Sequence, residues 1–209
     1  MENKKCKICR RLGTKLFLKG DRCLSPKCSV VKRPYAPGMK GKRRSRGLSE
    51  YGKELSEKQK LRNWYNLRER QFSNYVMEIL NKKEQSEGAG EQLIKKLEGR
   101  LDNVIFRLGF APSRGLSRQL VNHGHFLING KSVDVPSYQV KKEDVITVKP
   151  SAKKLKYFQE IVPVLKKTQA PSWIQFDAGK MEAKITGESS LEEAAPPAEI
   201  SSIFEFYSK

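Results

Sequence analysis

No run of apolar residues in this 209-residue chain approaches the roughly 18 to 20 needed to cross a bilayer. Its first ten residues, MENKKCKICR, lack a signal peptide's apolar core, so the chain is expected to stay in the cytoplasm, away from membranes. Histidine is scarce. The two present, His123 and His125, fall on a helix-to-strand turn with no Cys or Ser beside them suited to be a nucleophile. There is no phosphate-binding glycine loop and no zinc-protease helix, so the usual machinery of phosphoryl transfer and metallohydrolysis is missing. Asp102 alone could look catalytic, but beside Arg100 in the first turn of a helix it reads as a cap or as an orienter of that arginine. No internal repeat is found.

Acidic residues are the other shortage: 23 Asp and Glu face 42 Lys and Arg, a net charge of +19. Such an excess makes a polyanion the expected partner. It is uneven, because residues 1–70 hold 22 basic and 6 acidic residues, leaving 20 and 17 for the rest. The amino-terminal third is therefore the electrostatic anchor. Hydrophobic content of 37% is low but enough for one or two small cores.

All four cysteines lie in the first 28 residues, as Cys6-Lys-Ile-Cys9 and Cys23-Leu-Ser-Pro-Lys-Cys28. Two close pairs separated by a loop match the ligand spacing of a tetrahedral metal site. Lys5, Lys7, Arg10 and Arg11 would help keep the thiolates ionised. Zinc and an iron–sulfur cluster use the same four thiolates, so the spacing admits either. Two disulfides or idle thiols are the alternative, disfavoured in a reducing compartment.

From Val31 to Gly52 prolines, glycines and the cluster Lys40, Lys42, Arg43, Arg44 and Arg46 forbid a stable helix and predict an extended basic arm. A dense basic run with Tyr35 interleaved fits phosphate contacts and a stacked base. Residues 56–81 read as helical, with Leu61, Trp64, Tyr65, Phe72, Tyr75, Val76 and Ile79 as a core stripe and Arg62, Arg68 and Arg70 between them. A break at 86–90 precedes a further helix, Glu91 to Glu98.

The best-patterned stretch runs from Arg100 to Val148. Leu101, Val104, Ile105 and Leu108 make a helical apolar stripe, with Arg100, Asn103 and Arg107 on a neighbouring one. Gly109 is placed for a left-handed cap and Ser113 for the N-cap of a second helix, which presents Arg114 and Arg118. The four arginines are predicted to need no burial. Phe126-Leu127-Ile128, then Asn129-Gly130, predicts a tight hairpin with a return strand through Val133 and Val135. Val145 to Val148 reads as a third strand.

The run RLDN…RLGF…SR…SRQLVNHGH…ING…V…PSYQV resembles the alpha-L RNA-binding module as it occurs in the bacterial small-subunit ribosomal protein four family, in its four-cysteine form. The resemblance covers nearly the whole chain. It implies an α+β protein: a mostly helical first domain with a zinc-knuckle N-terminal extension, plus a small alpha-L RNA-binding domain of two helices beside a short twisted sheet. The expected domains are 1–45, 46–98 completed by 170–209, and 99–169. The resemblance further implies a structural ribosomal protein, not an enzyme, located in the cytoplasmic ribosome. It would bind small-subunit rRNA, nucleate assembly of the subunit body and contribute to translational accuracy. Ribosomal proteins five and twelve are the implied neighbours, and messenger RNA a further partner. RNA contact is expected from the arm cations, from Arg62, Arg68 and Arg70, and from Arg100, Arg107, Ser113, Arg114, Arg118, Gln119, His123, His125 and Lys131. Cys6, Cys9, Cys23 and Cys28 are the expected ligands of one structural zinc. An RNA-modifying or tRNA-charging enzyme carrying the same module is the competing class, but no remaining segment supplies a catalytic domain.

Beyond the module, 149–167 reads as sheet margin or irregular structure adding lysines to the surface. Residues 171–177 resemble the family's tryptophan segment, and 187–197 read as an acidic surface loop. The apolar end, Ile203 to Tyr207, is expected to return onto the aromatic helices.

Overall fold

Local capping chemistry sets several of the element boundaries in the computed structural model, which describes residues 4–39, 41, 47–81 and 88–208. These fall into two units, one of residues up to 93 with those from 195 onward, the other of residues 94–194. The first unit begins with α1 (Lys4–Leu12), α2 (Asp21–Leu24) and α3 (Ser29–Lys32). Next comes α4 (Glu50–Trp64), whose first turn is capped by Ser49 Oγ, an acceptor for the Gly52 N–H at 3.2 Å.

The single helical pattern expected over 56–81 is in fact two helices, α4 and α5 (Glu69–Leu80). Asn66 adopts a left-handed φ of 56°, and the Leu67 and Asn66 amides bond back to the carbonyls of Arg62 and Asn63 at 3.0 and 3.1 Å. That pair of bonds is a Schellman motif, and asparagine is one of the few side chains tolerated at its left-handed position. The break leaves the apolar stripe intact, with Leu61, Phe72, Val76 and Ile79 buried.

After α6 (Ala89–Glu98) the second unit is built from α7 (Leu101–Arg107), α8 (Arg114–Asn122), β1 (Phe126–Ile128), β2 (Lys131–Ser132), β3 (Val145–Val148), α9 (Pro150–Lys153), α10 (Lys156–Leu165), β4 (Ile174–Asp177), β5 (Glu182–Ile185) and α11 (Leu191–Ala194). Gly109 ends α7 as predicted, at φ 82°, with Phe110 and Gly109 amides bonded to Ile105 and Phe106 carbonyls. Asn129 and Gly130 take φ 50° and 79°, as a primed hairpin turn requires. The return strand is shorter than expected. Lys131 and Ser132 pair with β1 and the Val133 amide adds one bond to the Phe126 carbonyl at 3.3 Å, after which the chain enters the Pro136 turn.

The sheet is antiparallel in the order β2-β1-β3-β5-β4. Ile128, Ile146, Ala183 and Phe176 stand opposite one another across four strands, and Phe110 meets Phe126, Phe158 and Phe176 at ring-centroid distances of 5.5, 6.5 and 5.8 Å. Two expectations are corrected by this core. Residues 150–165 are helices α9 and α10 rather than sheet margin, because Phe158, Ile161 and Leu165 bury one helical stripe. Residues 170–194 belong with the sheet and do not complete the helical unit, since β4 and β5 supply its far edge.

Within 187–197, Leu191–Ala194 is a helical turn rather than loop. Glu193 earns it a place by accepting hydrogen bonds from the Ser172 amide and hydroxyl at 2.6 and 3.0 Å. The chain then returns to the first unit as α12 (Ile200–Ser208), packed on α4 and α5, as expected. Tyr51 meets Phe206 at 5.4 Å and Phe72 meets Tyr207 at 6.4 Å.

Candidate nucleic-acid interface

All four cysteines line one small cavity between α1 and the following short turns, and all are free thiols, so the structure contains no disulfide there. Burial pushes the Cys9 thiol up, a Leu16 amide bond opposes it, and the neighbouring Cys23, Cys6 and Cys28 add to the rise. The donor set therefore converges, yet among the described residues no three His, Cys, Asp or Glu groups stand close enough to hold a metal ion together.

Arg10 takes a role beyond the one expected. Its guanidinium is buried and donates to the backbone carbonyls of Arg33, Tyr35 and Ala36 at 3.1, 2.9 and 3.4 Å. It also lies 4.9 Å over the Tyr35 ring, so that ring stacks on an arginine of its own chain. Arg10 thereby pins the start of the basic arm. The arm cations Lys40, Lys42, Arg43, Arg44 and Arg46 lie outside the described residues.

In the helical unit Arg68 and Arg70 are exposed at the start of α5. Arg62 is half-buried and shares Glu69 with Lys58, at 3.0 and 2.5 Å. Burial pulls the Glu69 carboxyl up, but bonding to Lys58 and the charges of Lys58 and Arg62 hold it below its ordinary range.

The four arginines of the module are not the free set predicted. Arg100 is only 1% exposed, with Nε and Nη2 bonded to the two Asp102 oxygens at 3.1 and 2.9 Å. It is a structural ion pair, because a guanidinium fork taken out of water needs a carboxylate of matching geometry. Asp102 does orient an arginine, as expected. Arg107 grips Glu98 through two bonds of 2.8 and 2.7 Å and donates to the Ala194 carbonyl at 3.0 Å. Asn103 donates to the same Glu98 at 2.7 Å and accepts from Arg114 Nε at 2.7 Å. Arg114 is 8% exposed and lies 4.4 Å over the Phe106 ring.

Ser113 caps α8 by accepting the Leu116 N–H at 3.4 Å, so its oxygen is engaged inside the fold. Ser117, fully buried, donates to the Asp102 carbonyl at 2.5 Å, which draws α8 against α7. Glu98 and Asn103 organise this cluster and were not foreseen, since a buried polar network leaves no periodic mark in a sequence.

What α8 and the hairpin leave outward is Gln119, His123 and Lys131, all exposed, with Arg118 and His125 half-buried. The histidine rings lie 5.8 Å apart. Burial, then His123 and Lys149, lower the His125 pKa from its ordinary value. Lys149 escaped notice because its proximity comes from strand pairing, through its amide bond to the His125 carbonyl at 2.8 Å.

This geometry, a polar-locked helix pair beside a small antiparallel sheet, coincides with a matched family boundary. Residues 1–98 match the Ribosomal protein S4/S9 N-terminal domain, and 99–146 match the S4 domain. The chain belongs to the ribosomal protein S4 family. Relatives named small ribosomal subunit protein uS4 include that of Caldicellulosiruptor saccharolyticus, 47% identical over 205 residues, and that of Thermotoga petrophila, 43% identical over 205. The protein of the same name from Thermus thermophilus is 43% identical over 204 residues. Each alignment covers 98% of this chain and 96% of the relative. Membership in the uS4 family makes this a ribosomal protein rather than an enzyme, and the catalytic alternative is set aside. No helix among the described residues is long and apolar enough to cross a membrane.

Proposed function

We propose that this chain is a structural constituent of the cytoplasmic small ribosomal subunit. It binds small-subunit rRNA directly, nucleates assembly of the subunit body and contributes to translational accuracy. The observation that carries this reading is the internal neutralisation of Arg100 and Arg107 by Asp102 and Glu98. With those two arginines paired, the bonds from Arg114 Nε to Asn103 and from the Ser117 hydroxyl to the Asp102 carbonyl hold α8 against α7, so that Arg118, Gln119, His123 and Lys131 form a preorganised outer surface. Shape and 2′-hydroxyl contacts, rather than a base code, suit such a rigid polar face. Arg68, Arg70 and the cations of residues 40–46 extend the reading to a second face and an arm. Ribosomal proteins five and twelve are the neighbours proposed, and messenger RNA a further contact. Filter binding of small-subunit rRNA over a salt series should show saturable binding whose affinity falls steeply with salt. Indifference to that RNA at modest salt would sink the reading.

Cys6, Cys9, Cys23 and Cys28 are proposed to hold one structural zinc, with an iron–sulfur cluster as the alternative. The chemistry of the donor set supports this: four unbridged thiols line one cavity with no carboxylate or imidazole among them, and binding would draw them closer together than they stand. A bound ion would cross-link segments too short to fold alone. Protein purified under reducing conditions should carry about one metal per chain, and replacing Cys6 and Cys9 by Ser should release it while α4 and α5 keep their helical signal. Absence of zinc and iron would remove the idea.

A further inference from the structure

A cleft in the second unit is lined by no α8 residue and has no part in the reading above. It measures about 280 Å³ and is rimmed by residues 139–142 and 187–189, with Trp173 and Ile185 at its apolar side. That volume suits one small ligand and is too small for a helix or a folded peptide.

Its polar groups are placed rather than scattered. Ser189 is 5% exposed and its Oγ has no hydrogen-bond partner in the structure, a costly state for a buried hydroxyl. Gln139 donates its amide to the Lys96 carbonyl at 3.1 Å, which turns its own carbonyl oxygen toward Gly99, where an added Cβ would lie 3.2 Å from it. Lys141 and Lys142 are exposed on the rim. Lys95 and Glu188 pair with each other at 2.9 Å, so those two lysines set the sign of the cleft. The Trp173 carbonyl accepts the Thr186 and Gly187 amides at 3.0 and 3.3 Å, holding the rim against the tryptophan.

An anion-attracting edge, an unused acceptor, an unused hydroxyl and an apolar wall together match one chemical unit. We propose that this cleft receives a single nucleoside monophosphate unit, its phosphate on Lys141 and Lys142, its ribose hydroxyls on the Gln139 oxygen and Ser189 hydroxyl, and its apolar edge against Trp173 and Ile185. The unit can be a free nucleotide or an unpaired nucleotide of an RNA strand; the strand-borne form rests on the rRNA-binding reading above.

The test uses the full chain with Trp64→Phe, so that emission reports Trp173, titrated separately with AMP and with a tetra-adenylate oligonucleotide. Calorimetry on the unsubstituted chain reads the same binding without that change. Saturable binding is expected, weakened about tenfold by Lys141→Ala with Lys142→Ala, the loss of a charge-assisted contact, and weakened also by Ser189→Ala. Response to the oligonucleotide alone assigns the site to a strand, and response to AMP assigns it to free nucleotide. Binding by neither probe, or binding indifferent to these substitutions, overturns the proposal. Filter binding of whole rRNA by the same proteins separates the two readings, because the cleft can fail while rRNA binding persists, and the reverse.

Discussion

In the second unit Phe110 touches three other rings and sits at the centre of an unbroken apolar core. The closest counterpart joining elements in the first unit is Lys58, whose ammonium lies 4.4 and 5.6 Å over the rings of Phe206 and Tyr207 and bonds Glu69. The contrast is between area removed from water and charge arranged on aromatic faces. Apolar burial carries no charge for salt to screen or pH to titrate, whereas an ion pair with a half-exposed carboxylate is screened and titrates. The strongly basic first unit, whose Leu61, Phe72, Val76, Ile79 and Ile203 are buried, thus adds to its packing an interaction that solution conditions and a polyanion can modulate. The unit that must present a fixed surface is held by packing.

The largest effect should come from Phe110→Ala. Deleting a fully buried ring with three aromatic neighbours is expected to cost about 3 to 5 kcal/mol in urea unfolding of the second unit, and a cost under about 1 kcal/mol would mean the core is not centred there. Next, Asp102→Ala leaves Arg100 buried without its carboxylate, and should cost about 3 kcal/mol. Adding Arg100→Met to that chain should restore most of the loss, since it removes the orphaned charge as well.

In the first unit Arg10→Ala should cost about 1 to 2 kcal/mol, read as faster hydrogen exchange and proteolysis across residues 33–36, with no change in the second unit. A smaller signal is expected from acid. The Glu69 carboxyl is held below its ordinary value of 4.5, so the unfolded chain takes up that proton first. The stabilisation is whole above pH 4.5 and declines as pH falls through the lowered folded value. Glu69→Gln should flatten that acid limb for α4, α5 and α12 alone. Smallest in stability, within about 0.5 kcal/mol, should be Arg118→Ala with Lys131→Ala, which should nonetheless weaken rRNA binding by about 1 to 3 kcal/mol.

Arg114 does not belong in that last pair, although its sequence spacing puts it there. Arg114 and Arg118 are four residues apart and look equivalent on a helical wheel, yet one lies on Phe106 and bonds Asn103 while the other is half-exposed. Substituting Arg114 would disturb the α7–α8 lock and RNA contact together. The caps at Gly109 and Ser113, the Asn129-Gly130 turn and the core stripes of α5 and α7 were all legible, because each depends on residues within one turn of one another. The break at Asn66 used the same local chemistry and went unread, since asparagine is a weaker mark than glycine at a left-handed position.

Charge, the spacing of the cysteines and the family likeness were determined by the residues themselves: an excess of +19 attracts polyanions however the chain folds. Tertiary structure alone decided which cations remain available. Whether Arg107 meets solvent or Glu98 and the Ala194 carbonyl, and whether β4 and β5 close the sheet or the helices, depends on partners brought from elsewhere in the chain. Desolvating a guanidinium is tolerated only where a carboxylate is already held in place to receive it.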